Sequence, residues 1–240
     1  NRFNFCMALV FALGILSISA GCKGLVKKPH DDHEIRMRNA IRINPVHELG
    51  YIRLAQYLEG KQRYSETFEV LRDAQKHIPE SIILIRLEGR LFQGLAMFNE
   101  AEKFYTEQLE RHPENPLLFL DRAQMNWRIK KNELAIEDAR KAQSLNQNLF
   151  EAHYLIGVIL GQKTYFADPE KIDRALEALI YASQINSTNP DVWFRISELW
   201  LRKGESKKAR LAMYRAVKLS PESKLYLRSY SVLLEKELDE

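Results

Sequence analysis

Two patterns of hydrophobic and polar positions divide this chain of 240 residues. From Phe5 to Ala20 it runs apolar and free of charge. Beyond Asp32 apolar positions return three and four residues apart, the spacing of a helix face, and that pattern itself recurs. Bulky residues stand at Tyr51, Ile85, Phe119, His153 and Trp193, each followed four residues later by a small one, Ala55, Gly89, Ala123, Gly157 and Ser197. A second set, Thr67, Ala101, Ala135, Ala175 and Ala209, keeps the same register. Pro45, Pro79 and Pro113 are 34 residues apart, and Pro221 rejoins the ladder after one insertion. Proline stops a helix and turns the chain. The pattern therefore predicts pairs of short helices, each about 20 Å long, that bury their apolar stripes only by stacking on neighbouring pairs.

This register resembles the tetratricopeptide repeat family, whose helix-turn-helix unit carries a Trp-Leu-Gly-Tyr-like first helix and an Ala-Phe-Ala-Pro-like second. Trp193, Ile196, Ser197, Trp200, Gly204, Ala209, Met213, Ala216 and Pro221 match it best, and Leu54, Ala55, Leu58, Leu71, Ala74 and Pro79 nearly as well. Glu88 and Arg122 depart from it where an aliphatic is usual, as do Gln147 and Ser187 on the proline ladder. The resemblance implies an all-α fold: a right-handed superhelix, or α-solenoid, of five units at 48–81, 82–115, 116–149, 150–189 and 190–223. The fourth holds six extra residues around 163–169, between its two helices. A half repeat at 32–47 and a capping helix at 224–240 close the ends.

Composition narrows the function classes. At 45% apolar and 28% charged, with 10 Gly and 2 Cys, the chain is neither disordered nor a disulfide scaffold. No GxGxxG, GxxxxGK(S/T), GxSxG, HExxH or CxxC occurs, which removes the usual nucleotide, hydrolase and zinc signatures. A net charge of +4 does not demand nucleic acid. The histidines fall in turns or packing positions and the carboxylates spread along helix surfaces, so no catalytic residue, cofactor or metal is expected.

The leading segment is an address. Arg2 precedes the apolar run, which at 16 residues is short of the roughly 20 that a spanning helix needs. Ser19-Ala20-Gly21-Cys22 resembles a bacterial lipobox, with Ser19 where Leu is usual. Residues 1–21 are therefore expected to be a signal peptide, Cys22 the site of lipidation and 22–31 a polar tether. A short hydrophobic helix retained in the bilayer, with Cys22 incidental, is the alternative. Loss of Cys6 and lipidation of Cys22 would leave no free thiol, which suits an exported protein. The expected location is a bacterial envelope, at the periplasmic face of the outer membrane.

In the family that the resemblance points to, first-helix positions off the packing stripe line a concave groove. Carried over residue by residue, these are Ile52 and Gln56; Arg86, Arg90 and Gln93; Leu120, Gln124 and Trp127; Tyr154; and Phe194 and Glu198. Guanidinium groups suit carboxylates, and aromatics offer contact area at small entropy cost; ordinary surface charges and core aromatics are the competing reading. Tyr165 and Phe166 in the insertion are a second candidate contact, against a loop that folds its own aromatics back. The resemblance implies a non-enzymatic adaptor that holds a protein partner, a component of an envelope complex, for pilus or secretin assembly or for organising peptidoglycan enzymes. Nucleic acid is not expected, and no oligomeric state follows. A small-molecule carrier or enzyme accessory subunit stays open as a second class, and a nucleic-acid-binding helical repeat as a remote third.

Overall fold

The computed structural model describes residues 31–165 and 168–238. Cys22, the leader, Phe166 and all but the last residue of the expected tether lie outside them. The described residues form twelve α-helices and no strand. They are α1 (Asp32–Ile43), α2 (Glu48–Gly60), α3 (Tyr64–His77), α4 (Ile82–Gly94), α5 (Phe98–Arg111), α6 (Pro116–Arg128), α7 (Asn132–Leu145), α8 (Phe150–Leu160), α9 (Pro169–Ile185), α10 (Pro190–Arg202), α11 (Ser206–Leu219) and α12 (Lys224–Leu238), with a 3₁₀ turn at Lys163–Tyr165.

Helices pair as α2/α3, α4/α5, α6/α7, α8/α9 and α10/α11, and each second helix packs on the first helix of the next pair. First helices of successive pairs also touch, α2 with α4, α4 with α6 and α6 with α8. They form the inner layer of an all-α helical-repeat superhelix, with the second helices outside.

Small residues set the spacing within a pair. A Cβ on Gly89 would lie 2.4 Å from Tyr105 Oη, and one on Gly157 would lie 2.5 Å from Leu179 Cγ. Ser197 Oγ donates across the last pair to the Ala209 carbonyl at 2.7 Å. Ala101, Ala135, Ala175 and Ala209 are fully buried opposite them. The two departures from the apolar pattern are met by polar partners. Gln75 Nε2 donates to Glu88 Oε2 at 2.5 Å, and Arg122 makes a bidentate pair with Asp138 at 2.8 and 2.6 Å.

The turn inside a pair has a recurring form. Gln62, Ala96, Lys130 and Gly204 adopt φ of 58°, 57°, 65° and 75°. Each is bonded as Ala96 is, whose N–H reaches the Gln93 carbonyl at 3.1 Å while Met97 N–H reaches that of Phe92 at 2.9 Å. That double closure satisfies the last carbonyls of the first helix. The fourth pair lacks it: α8 shortens to 11 residues, and α9 lengthens to 17 against 14 in the other second helices of pairs. Pro169 opens α9, and Asp168 caps it by accepting from Glu170 and Lys171 N–H.

The core runs as two main clusters. One gathers Tyr51, Leu58, Phe68 and Tyr105 with Met125 of α6; the other runs from Leu120 and Ala123 of the same helix to Ala212 of α11.

Candidate functional site: the inner helical face

On α2 the stripe Leu49, Ile52, Arg53 and Gln56 recurs on α4 as Ile83, Arg86, Leu87 and Arg90. Steps of three and four residues put each set on one face. Leu49 and Ile83 are 43% and 50% exposed. Gln56, Arg53 and Arg90 are exposed, while Ile52 is half-buried against the first core cluster. Arg53 and Arg90 form no ion pair among the described residues. This pair of helices thus offers aliphatic surface beside uncommitted positive charge.

Elsewhere the inner face is occupied by its own stitching, and four sequence expectations are corrected, Leu120 among them because it is buried core. Arg86 is not free to bind: its Nε and one terminal nitrogen hold buried Asp121 of α6 at 2.6 and 2.9 Å. That bond pushes the guanidinium pKa up against the opposing effect of burial. Gln93 is buried, donating to Tyr105 Oη at 2.8 Å and to the Asp121 carbonyl at 3.3 Å, so it positions Tyr105 and α6 and does not line a groove. Tyr165 is half-buried, donates to Glu133 of α7 at 3.1 Å and lies under the Lys171 ammonium at 4.1 Å. It ties the insertion down and is not an exposed anchor.

The remaining candidates divide. Leu120 is core, and Trp127 is half-buried against the second cluster. Gln124 is half-exposed. Tyr154 stacks on Phe150 at 5.7 Å; burial pushes its phenol pKa up despite a hydrogen bond to Arg195. Phe194 packs 5.3 Å from Tyr226 of α12, whose hydroxyl bonds Asp191. Glu198 accepts from Arg195 at 2.9 Å. The structure therefore leaves Ile52, Gln56 and Arg90 on two touching first helices, α2 and α4, that also carry Arg53, Leu49 and Ile83, three residues that sequence reasoning passed over. The 34-residue register would have found them, since 49 and 83, like 53 and 87, are equivalent positions.

The outer surface holds two clefts of about 610 and 570 Å³ at equivalent positions, floored by His153 and by Tyr51. His153 is fully bonded there, to the Gln147 carbonyl through Nε2 at 2.8 Å and to Gln143 through Nδ1 at 3.2 Å. Among the described residues no three His, Cys, Asp or Glu side chains converge as metal ligands, and no helix is long and apolar enough to cross a membrane.

No protein-family model matches the chain. A curated relative, the E3 ubiquitin-protein ligase CHIP of Arabidopsis thaliana, is 30% identical over 102 residues, which are 42% of this chain and 37% of that protein. The chain thus spans little more than a third of the relative it matches. Among solved structures, yeast Tom70 is similar with a TM-score of 0.73 at 14% identity, over 89% of this chain and 45% of that one. YrrB, described as a TPR protein with an unusual peptide-binding site, gives 0.57 at 19% identity, over 81% and 97%. Together with the recurring pairs and turns, these likenesses establish the fold: a tetratricopeptide-type helical-repeat solenoid.

Proposed function

We propose that the chain is a non-enzymatic adaptor that holds a segment of a partner protein on the inner face of its first two units, tethered to a bacterial envelope membrane through lipid on Cys22. The observation that carries the binding face is the pairing of exposed aliphatics with arginines that form no ion pair among the described residues, Leu49 with Arg53 and Ile83 with Arg90. A segment whose acidic residues flank apolar ones fits that surface. Tetratricopeptide solenoids serve as protein-binding scaffolds, and the similar YrrB is described by its peptide-binding site. The tether rests on the lipobox-like Ser19-Ala20-Gly21-Cys22, and holding the face at a membrane raises its effective concentration for a partner there. Pilus or secretin assembly and the organisation of peptidoglycan enzymes are the processes such an adaptor would serve.

The test is a photo-crosslinking residue at position 83 in native membranes, with and without Arg53→Glu and Arg90→Glu. The crosslinked partner should be lost in the double variant while thermal unfolding stays as in the unsubstituted chain. The same partner captured in both overturns the face. Cys22→Ala should release the protein into the soluble fraction; retention in the membrane removes the lipid from the reading.

A further inference from the structure

In each unit the first helix presents one apolar stripe to its own second helix. In α10 the stripe is Trp193, Ile196, Ser197 and Trp200, packed against α11, and Ile196 and Ser197 are 2% and 0% exposed. The equivalent stripe of α12 is Leu227, Tyr230, Ser231 and Leu234. Among the described residues no second helix covers it. Leu227 and Leu234 are 45% and 40% exposed, and Ser231 is open. Tyr214 of α11, 48% exposed and 6.1 Å from Tyr230, borders the same gap.

The stripe is complementary to itself. An antiparallel second α12, related by a two-fold axis between residues 230 and 231, sets Leu227 against Leu234 and Tyr230 against Ser231, so that a large side chain meets a small one on both sides of the axis. The same operation keeps Arg228 and the second copy's Glu235 on one flank of the contact, two residues out of register with each other. Both are exposed, and neither is ion-paired among the described residues. Among the described residues α1 is a second helix without a first, and it fits less well: it would press His33, where the other units have Ala or Thr, onto Ser231 and bring Arg42 toward Lys224 and Arg228.

We propose that the chain forms a two-fold homodimer through α12, each copy's helix completing the last unit of the other. This goes beyond the adaptor reading and does not depend on it. Sedimentation equilibrium of the full chain should show a monomer–dimer equilibrium. Under oxidation Ser231→Cys should give a covalent dimer well above the background set by Cys6 and Cys22, whereas Glu222→Cys, off the axis, should not. Arg228→Glu should weaken association about tenfold, and adding Glu235→Arg should restore it. Leu227→Asp with Leu234→Asp should leave a monomer of unchanged helicity. A monomeric unsubstituted chain at every concentration, an open-ended polymer, or a dimer that survives the double aspartate variant overturns the proposal. So does failure of the charge-reversed pair to recover, and that pair decides alone if the aspartates cost helicity.

Discussion

Glu88 sets a pH dependence of stability that a single substitution tests. Burial pushes its carboxyl up to about 7, against the pull of Arg72 and of the Gln75 hydrogen bond, from an ordinary value of 4.5. The unfolded chain therefore releases this proton first, and stability falls as pH rises through the interval between the two values, by about 3 kcal/mol in all. Glu34 and Glu66 act in the opposite sense. Burial raises Glu34, but Arg63 and Arg38 overcome it and hold its pKa low; hydrogen bonding to Arg63 lowers that of Glu66. Their contribution is lost only as pH falls into the acid range, so a comparison of pH 5 with pH 8 isolates Glu88. The urea midpoint should be lower at pH 8, and Glu88→Gln should flatten the difference. Packing predictions are equally local. Gly89→Ala drives a methyl into Tyr105 and should cost about 1–3 kcal/mol. Ala96→Gly should stabilise by up to about 1 kcal/mol, because it relieves a left-handed alanine. The first of these was legible in the sequence, where small residues recur at one position. The second was not: Gln62, Ala96 and Lys130 carry no glycine to mark the turn.

At the scale of the helix, two arginines one turn apart have different fates. Arg86 bonds α4 to α6 through buried Asp121, so Arg86→Ala strands a buried carboxylate and should cost about 3–5 kcal/mol by chemical denaturation. Arg90 is exposed and forms no ion pair among the described residues, and Arg90→Ala should change stability by less than about 0.5 kcal/mol. Equal losses for the two would remove the distinction on which the binding face rests. Sequence spacing placed both on the inner side of α4, because helix periodicity fixes which way a residue faces. It did not say which of them a neighbouring unit already uses. Asp121 sits next to a position of the repeat pattern and attracts no notice in sequence. The same limit explains Gln93, whose amide serves Tyr105, and Tyr165, whose hydroxyl serves Glu133.

Across the whole molecule every helix leans on its neighbours in the chain, so stability varies along the stack. In α1 only Glu34 is buried, whereas α6 contributes to both core clusters. Amide exchange should accordingly be fastest in α1 and slowest in α6 and the helices packed on it; uniform protection from end to end would contradict this gradient. The overall architecture was readable because a 34-residue recurrence ties burial to position many times over, so that errors at single residues do not propagate. That redundancy has a cost of its own. Units in one register can be miscounted: a hairpin that skipped a place would still find small residues opposite small ones. The fourth hairpin is the exception. Its 17-residue α9, capped by Asp168, and its Tyr165 bond to Glu133 suit only the joint with α7, so the insertion labels one position in the stack and keeps the count on either side of it.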